Sequence, residues 1–227
     1  MMQGQDRKLA GLQHEYWQQR YSAHPRMYGD EPSAPARYAA EVFRTAGAHD
    51  VLELGAGQGR DSLHFARLGF AVQATDFSDV GIEQLSEQAA AEGLHNLRTA
   101  VLEVRQPLPL ADASVDAVFA HLLLCMALST GEITDLVSEI RRVLRPGGTF
   151  VYTVRHTGDP DFCVGIAHGD DTFEHDGLAV HFFPRYLVVD LAEGWGLRDI
   201  RTVTEGDLPH RLWRITQTLT DHRHAES

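Results

Sequence analysis

Three glycines stand at alternate positions, 55, 57 and 59, in the stretch VLELGAGQGRDS. They follow an apolar run and open a helical pattern, so the turn would present bare backbone N–H groups and the positive end of a helix to a ligand. Asp76 stands 21 residues after Gly55, close to the interval at which an acidic side chain binds ribose hydroxyls in dinucleotide sites. The spacing therefore predicts a site for a ribose-bearing small molecule.

Glu53 and the position of the third glycine distinguish between two ribose-bearing cofactors. The dinucleotide fingerprint is G-x-G-x-x-G, whereas the third glycine here comes one residue early. A carboxylate at Glu53, two residues before Gly55, would repel a pyrophosphate and attract an ammonium group. S-adenosylmethionine carries a ribose, an ammonium and a sulfonium and has no phosphate, so the pattern favours it over NAD. An NAD(P)-dependent oxidoreductase on a similar fold is the alternative.

The elements that would position these residues alternate between β-rich and helical patterns from residue 50 onward. The predicted strands are 50–54, 71–75, 97–102, 115–120 and 149–154. Ser129 and Glu132 predict a capping box at the start of the helix before the last of these strands, and Pro146-Gly147-Gly148 predicts its end. Strands that alternate with amphipathic helices are typical of a parallel sheet built from βαβ units.

Segments on either side of this core would complete a single domain. Residues 1–49 are predicted to form an N-terminal cap of two helices, and residues 50–155 the cofactor-binding core. Residues 156–183 are rich in Gly, Asp and His and are predicted to form a lid or substrate loop, because a connection of this length is rarely a plain linker. Residues 184–220 would add a C-terminal helix and two strands.

Composition and charge exclude several classes of partner. The chain has 227 residues, 43% of them hydrophobic, which is enough for the core of one domain. Its net charge is −12 without a basic cluster, so we expect no nucleic-acid partner. No segment is as apolar as a membrane span and the N-terminus lacks a signal-peptide pattern, so we expect a cytoplasmic protein without a membrane contact. Cys125 and Cys163 form no zinc or disulfide pattern, and no metal is expected.

Four motifs together resemble the class I S-adenosylmethionine-dependent methyltransferases: ELGAGQGRDS, TDFS, LPLADASVDAVFA and VLRPGG. A looser match, in EYWQQRY, MYG, LLLCMALSTGEI and GDLPHR, is to the small-molecule methyltransferases of the tellurite-resistance and thiopurine type. The resemblance implies an α/β fold, a Rossmann-like doubly wound sheet of seven strands with the last antiparallel and helices on both faces. It also implies S-adenosylmethionine as cofactor and transfer of its methyl group to a small molecule. A non-catalytic cofactor-binding protein is a second alternative.

The resemblance also implies which residues form the cofactor site. Glu53 and the glycine turn would surround the methionine part, Asp76 would bind the ribose, and Phe77 would lie against the adenine. The N-terminal aromatic residues would fold over the cofactor, with ordinary helix packing as the alternative. The implied residues are Tyr16, Tyr21, Tyr28, Gly29, Glu53, Gly55, Ala56, Gly57, Gly59, Arg60, Asp61, Asp76, Phe77, Glu103, Val104, Ala120 and His121. The family usually has Asp where this chain has Glu103.

Methyl transfer is an in-line displacement, so the acceptor side of the site needs groups that orient the acceptor and exclude water. A histidine could also remove a proton from the acceptor. In the related family an acidic-Leu-His-Arg turn before the last strand supplies such a pair, and the chain has Asp207-Leu208-Pro209-His210-Arg211. We therefore predict that His210 and Arg211 face the acceptor, with a solvated hairpin turn as the alternative. His156, at the end of the fifth strand, and His181 are the further catalytic candidates.

The acceptor itself is open at the level of sequence. The chain has AHLLLCM where methyltransferases of nucleobase amines and glutamine amides have Asn/Asp-Pro-Pro-Tyr/Phe after the fourth strand, which disfavours DNA, RNA and protein amides. Tellurite or selenite, a thiol or thiopurine, and an oxygen or nitrogen metabolite all fit the pattern. The oligomeric state is open as well.

Overall fold

The computed structural model describes residues 2–204 and 209–220, with side chains from residue 8 onward. The helices in this part of the chain are α1 Met2–Ala23, α2 Ala34–Thr45, α3 Arg60–Arg67, α4 Asp79–Ala91, α5 Thr130–Val143 and α6 Arg185–Leu191. The strands are β1 Asp50–Leu54, β2 Ala71–Asp76, β3 Leu97–Val101, β4 Val115–His121, β5 Leu144–Arg155, β6 Ile166–Gly169, β7 Thr172–His175, β8 Leu178–His181, β9 Trp195–Val203 and β10 Leu212–Leu219. Asp207 and Leu208 of the predicted acceptor turn lie outside the described residues.

The central sheet has seven strands in the order β3-β2-β1-β4-β5-β10-β9. Strands β1 to β5 pair in parallel, and β10 is antiparallel to both of its neighbours, β5 and β9. The fold predicted from the resemblance, seven strands with the last one antiparallel, is therefore confirmed. The strand order reverses between β1 and β4, and ligands of such sheets bind at the carboxyl ends of the strands that flank this reversal.

Helices cover both faces of the sheet. On one face, Phe43 of α2 and Phe65 of α3 pack with Phe119 of β4 in an apolar cluster. On the other, α5 and α6 pack against Phe150 and Tyr152 of β5 in a second cluster. Because burial of apolar surface is the main stabilising contribution to folding, these two layers fix the carboxyl edge of the sheet between them.

Helix α5 begins as predicted and ends at Val143, before the predicted stop at Pro146. Its capping box is present, with the Ser129 N–H donating to the Glu132 carboxylate at 2.9 Å and the Glu132 N–H donating to Ser129 Oγ at 3.3 Å. Leu144 already has extended backbone angles and pairs with Val115 of β4, so Pro146-Gly147-Gly148 lies within β5 and does not end the helix. The buried side chain of Leu144 packs in the sheet core, which outweighs the helical periodicity.

The segment 156–183, predicted to form a lid or substrate loop, has regular secondary structure. It contains a small antiparallel sheet in the order β6-β7-β8. Two-residue turns connect its strands, Asp170-Asp171 and Asp176-Gly177, and all four residues have φ between 50° and 81°. Positive φ at both central residues is typical of type I′ hairpin turns, for which Asp-Gly is a preferred sequence. The hairpin signal was therefore in the sequence and was missed.

Helix α1 lies across the carboxyl edge and joins the small sheet to α4. The Gln13 amide donates to the Gly177 carbonyl at 2.7 Å and accepts from the Ala179 N–H at 3.2 Å. One turn later, the Gln18 side chain accepts from the Val80 N–H at 3.3 Å. These contacts place Trp17 and Tyr21 of α1 against the predicted cofactor site. No helix in the described part of the chain is long and apolar enough to cross a membrane.

Candidate functional site

The glycine turn between β1 and α3 adopts a backbone conformation that other residues rarely adopt. Gly55, Gly57 and Gly59 have φ of 74°, 54° and 85°. A Cβ atom added to Gly59 would lie 2.0 Å from Leu85 Cδ1, and one added to Gly57 would lie 2.7 Å from the Tyr21 hydroxyl. Both the left-handed angles and the close packing therefore require glycine, and the turn exposes backbone to the cavity beside it.

Two buried carboxylates flank this turn. Glu53 is 2% exposed, its carboxylate accepts a hydrogen bond from the Ser62 hydroxyl, and burial, together with nearby Asp61, raises its pKa well above the ordinary value. Asp76 accepts from the N–H groups of Gly57 and Ser78, each at 2.8 Å. Burial nevertheless raises the pKa of Asp76 to about 6. Buried acids with raised pKa values gain stability from a cationic or hydrogen-bond-donating ligand, so this pair fits the ammonium and ribose of S-adenosylmethionine.

A cavity of about 420 Å³ lies over the turn, within the range of about 300–1,000 Å³ that small-molecule sites occupy. Most residues of the implied cofactor site line it. They are Tyr21, Tyr28, Gly29, Glu53, Gly55, Ala56, Gly57, Gly59, Arg60, Asp61, Asp76, Phe77, Glu103, Val104 and His121.

Tyr16 and Ala120 do not line the cavity. Tyr16 packs edge-on against Trp17, with ring centroids 5.5 Å apart, and Ala120 is fully buried in the sheet core. Trp17, one residue further along α1, lines the cavity instead of Tyr16. The helical periodicity could have indicated this, because Trp17 and Tyr21 are four residues apart and share one face of α1.

Asp61 reaches the cavity wall and also connects two helices. Its carboxylate accepts hydrogen bonds from the Ser33 N–H at 2.7 Å and from the Ser33 hydroxyl at 2.8 Å. Ser33 is the N-cap of α2 and accepts in turn from the Ala36 N–H at 3.0 Å. Asp61 therefore holds the start of α2 against α3, a structural role that the sequence pattern did not indicate.

Arg105, which sequence reasoning missed, organises the far wall of the cavity. It donates to Glu103 at 3.0 Å, to Glu132 at 3.0 Å and to the Ala127 carbonyl at 2.8 Å. The carboxylate of Glu103 is thereby held by a side chain two residues away. This contact joins the segment after β3 to the start of α5, on the side where the resemblance implies the adenine.

Arg155, the last residue of strand β5, also lines the cavity and is 4% exposed. Its guanidinium donates to Asp161 at 2.6 Å and to Asp159 at 3.2 Å. Burial disfavours the charge on Arg155, but the two carboxylates outweigh burial and leave its pKa raised. The pKa of Asp159 is lowered, because the Arg155 guanidinium and two backbone N–H groups outweigh the effect of its burial. Arg155 was missed, although side chains at the carboxyl ends of parallel strands are expected to line the ligand crevice.

Among the predicted acceptor-side residues, the structure brings one to the cavity. His210 lines it, with Nδ1 3.7 Å from Asp161 Oδ2. The side chain of Arg211 is exposed and does not line the cavity, although its backbone N–H donates to Asp159 at 2.7 Å.

The other two histidines are packed within the protein away from the cavity lining. His156 stacks on Trp213 with ring centroids 4.7 Å apart, and burial lowers its pKa. His181 is 1% exposed, and its Nδ1 lies 2.7 Å from the Leu128 carbonyl, a distance at which it donates a hydrogen bond. Neither therefore reaches the acceptor end in this arrangement.

Asp159, Asp161 and His210 offer ligand atoms within 4.8 Å of one another, a spacing that could hold a metal ion. Arg155 donates to both of these carboxylates. The guanidinium thus supplies the positive charge that a metal ion would supply. We therefore interpret the cluster as an ion-pair network.

Residues 51–148 match the sequence profile of a family described as a methyltransferase domain. The matched stretch is 98 of the 227 residues of the chain. The match supports the predicted resemblance to the class I S-adenosylmethionine-dependent methyltransferases.

Relatives and solved structures agree with this assignment. Phosphoethanolamine N-methyltransferase 1 of Triticum aestivum is 38% identical over 99 residues, which are 43% of this chain and 20% of that protein. Methyltransferase GfsG of Streptomyces halstedii is 27% identical over 198 residues, which are 86% of this chain and 69% of that protein. The chain thus matches about a fifth of the wheat enzyme's length and about two thirds of the other's.

The fold extends over nearly the whole chain. The crystal structure of 1,6-didemethyltoxoflavin-N1-methyltransferase of Burkholderia thailandensis, with bound 1,6-didemethyltoxoflavin and S-adenosylhomocysteine, superposes with a TM-score of 0.74 at 19% sequence identity. The superposition covers 95% of this chain and 90% of that one. The shared fold therefore includes α1 and the C-terminal strands as well as the matched domain.

Proposed function

We propose that this protein transfers a methyl group from S-adenosylmethionine to a small-molecule acceptor. One observation carries the proposal: the glycine turn, its two buried acids, several apolar side chains, Arg155 and His210 all line one cavity. Two of the proteins named above act on small molecules according to their names, one on phosphoethanolamine and one on 1,6-didemethyltoxoflavin, which supports an acceptor of this kind.

The cofactor end of the cavity offers a separate group for each part of S-adenosylmethionine. Glu53 would hold the ammonium, the glycine turn would pack along the methionine part, and Asp76 would bind the ribose hydroxyls. Phe77 and Val104 present apolar surface for the adenine. When bound, the cofactor supplies an electrophilic methyl group on a positively charged sulfur.

The acceptor end is apolar apart from Arg155 and His210. Apolar residues that line the same cavity, and could form this end, are Leu122, Leu123, Met126, Leu128 and Leu178. Leu122 has a φ of 58° and donates its N–H to Thr153 Oγ1 at 3.0 Å. Strained backbone of this kind clusters at functional sites, and here it turns the segment after β4 along the cavity. Such a lining would exclude water and align the acceptor for in-line displacement.

Calorimetric titration with S-adenosylhomocysteine and with NADH tests the cofactor. We expect the wild type and Asp112→Asn to bind S-adenosylhomocysteine, since Asp112 is an exposed carboxylate off the cavity, and Asp76→Asn to lose most of this affinity. If the protein binds NADH and does not bind S-adenosylhomocysteine, the result would instead favour an NAD(P)-dependent oxidoreductase.

A turnover assay distinguishes a methyltransferase from a non-catalytic cofactor-binding protein. Release of S-adenosylhomocysteine, together with a methylated product seen by mass spectrometry, is expected with a panel of small-molecule acceptors. Cofactor binding without release across thiol, oxygen, nitrogen and chalcogen acceptors would favour the non-catalytic alternative.

A further inference from the structure

Arg155 lies on the opposite side of the glycine turn from the groups implied for the adenosine part of the cofactor. The turn follows β1, Asp76 ends β2 and Val104 follows β3, and both of these strands lie on one side of β1 in the sheet. Arg155 ends β5, which lies on the other side of β1, beyond β4. Two strand spacings make about 10 Å, so Arg155 lines the cavity beside the cofactor groups, where a second molecule would bind.

Two carboxylates fix the Arg155 guanidinium and leave one of its nitrogens for a ligand. Nε donates to Asp159 at 3.2 Å, and Nη2 donates to Asp161 at 2.6 Å as well as to Asp159. Phe182 covers one face of the guanidinium, with the ring centroid 5.0 Å from Cζ. Nη1 has no hydrogen-bond partner among the described residues and is not fully buried. Because Arg155 lines the cavity, a partner for the Nη1 N–H groups would lie there.

The charge of this arrangement disfavours an anionic ligand. Asp159 and Asp161 outweigh the burial of Arg155 and raise its pKa, so the guanidinium stays charged. Its single positive charge is nevertheless exceeded by the two carboxylate charges that it pairs with. Charges repel more strongly in a partly buried site than in water, so an anion at Nη1 would be repelled by both carboxylates. A neutral oxygen avoids this repulsion and still accepts a charge-assisted hydrogen bond, which is about twice as strong as one between neutral groups.

Apolar residues lie along the same edge of the sheet. Leu122, directly after β4, donates its N–H to the hydroxyl of Thr153, two residues before Arg155 in β5. Leu122 lines the cavity together with Leu123 and Met126. Apolar side chains of this kind stabilise a ligand by removing its apolar surface from water. A matching ligand is therefore mainly apolar and carries a neutral oxygen that reaches Arg155.

We propose that Arg155, held by Asp159 and Asp161, is a specificity-determining residue that donates from Nη1 to an uncharged carbonyl oxygen of a mainly apolar acceptor. This inference rests on the proposed methyl transfer and names the class of its acceptor: an amide, lactam or ketone with apolar rings or chains. The carbonyl oxygen is the recognised group, and the methyl group goes to another atom of the same molecule. Carboxylates, selenite and tellurite do not belong to this class.

Binding of three matched compounds tests this recognition without turnover. 6-Hydroxy-2-quinolone has a neutral lactam carbonyl, 2-naphthol has two rings of the same size without the carbonyl, and 6-hydroxy-2-naphthoate has a carboxylate instead. Calorimetric titration of each compound at about pH 7, into protein saturated with S-adenosylhomocysteine, gives the three dissociation constants. We expect the quinolone to bind the wild type about 10-fold more tightly than either of the others, or better, because it alone gains a hydrogen bond to a charged group without repulsion.

Two variants separate the hydrogen bond from the charge. Arg155→Lys keeps a positive charge beside both carboxylates and removes the third guanidinium nitrogen, so the quinolone should bind about 10-fold more weakly or worse, with little change for 2-naphthol. Asp161→Asn keeps Arg155 paired with Asp159 and removes one negative charge, so 6-hydroxy-2-naphthoate should bind more tightly and the quinolone should change little. The control Asp176→Asn, whose side chain is 90% exposed, should match the wild type with all three compounds.

The affinity for S-adenosylhomocysteine, unchanged in each variant, shows that the fold is kept. If Arg155→Lys loses this affinity, Asp161→Asn decides, and an unchanged affinity for 6-hydroxy-2-naphthoate then overturns the inference. The inference is also overturned, with the proposed function left standing, if the wild type prefers 2-naphthol or the naphthoate, if it binds none of the three compounds, or if Arg155→Lys weakens the quinolone and 2-naphthol equally. A wild type that does not bind S-adenosylhomocysteine counts against the proposed function and against the inference with it.

Discussion

Asp76 at the end of β2 accepts a hydrogen bond of 2.8 Å from the backbone N–H of Gly57, in the middle of the glycine turn. Its other carboxylate oxygen accepts from the Ser78 N–H at the same distance. The acid predicted to bind ribose therefore also fixes the glycine turn through the Gly57 N–H. Its ionisation should affect both ligand binding and stability.

Binding of S-adenosylhomocysteine should strengthen as pH rises through about 6. Burial raises the pKa of Asp76 to about 6 in the ligand-free protein, and the ionised carboxylate is the better acceptor for ribose hydroxyls. At about pH 5 only about a tenth of the protein would be ionised at Asp76, so the apparent affinity should be about tenfold lower than well above pH 6. Calorimetric titrations across this range measure the effect. Asp76→Asn should bind more weakly and show a smaller slope, and an equal slope would contradict the role of Asp76.

The stability of the ligand-free protein should respond to Asp76 in the opposite direction. The folded-state pKa is about 6 and the ordinary value is 3.8, so the folded state binds the proton more tightly than the unfolded state does. The associated stability is fully present below about pH 4 and is lost as pH rises to about 6, by about 3 kcal/mol at most. Urea unfolding of the wild type against Asp76→Asn isolates this contribution. A difference that is independent of pH would show that the pKa is not raised.

Gly59→Ala should destabilise the protein more than Gly69→Ala. Both glycines have positive φ, 85° and 92°, but a Cβ at Gly59 would lie 2.0 Å from Leu85 whereas the space beside Gly69 is open. The left-handed conformation costs about 1–2 kcal/mol for a residue with a Cβ, and overpacking adds about 1–3 kcal/mol at Gly59 alone. Chemical unfolding of the two variants measures the difference. Equal losses would mean that Leu85 moves aside freely.

The sequence predicted the parts of the site that depend on local pattern. The glycine spacing, the interval to Asp76 and the alternation of strands and helices are local features, and they led to the cofactor and to the fold. Glu53 was informative because a carboxylate beside the turn distinguishes an ammonium from a phosphate.

The arrangement of residues near Arg155 and His210 depends on contacts between segments that are far apart in the chain, and no local sequence pattern indicates such contacts. Arg155, Asp159 and Asp161 lie within seven residues of one another, but their relation to His210 depends on β10 pairing with β5. Likewise, the contact of Asp61 with Ser33 joins residues 28 positions apart. The hairpins of 156–183 are a different case. Their turn sequences, such as Asp176-Gly177, are typical of β-hairpins, but the segment was interpreted as one loop.

Chelation of metal ions should leave activity unchanged. Asp159, Asp161 and His210 have metal-like spacing, but a bound cation would have to displace the Arg155 guanidinium, which is 4% exposed and donates to both carboxylates. Turnover after dialysis against EDTA should equal that of untreated protein. Calorimetric titration with Mg²⁺, Mn²⁺ or Zn²⁺ should show no site that Asp161→Asn removes. A loss of turnover on chelation that one of these ions restores would assign the cluster to a metal.

Tyr152→Phe should stabilise the protein, whereas Tyr38→Phe should destabilise it. The Tyr152 ring stacks on Phe150 in the core, and its hydroxyl is buried without a hydrogen-bond partner among the described residues. A buried polar group without a partner costs about 1–3 kcal/mol, and phenylalanine removes the group while it keeps the ring. The Tyr38 hydroxyl instead lies 3.2 Å from Thr216 Oγ1, and its loss should cost about 0.5–1.5 kcal/mol. Urea unfolding of both variants measures the change in the free energy of unfolding, which should be positive for Tyr152→Phe and negative for Tyr38→Phe. Destabilisation by Tyr152→Phe would show that its hydroxyl is satisfied in solution.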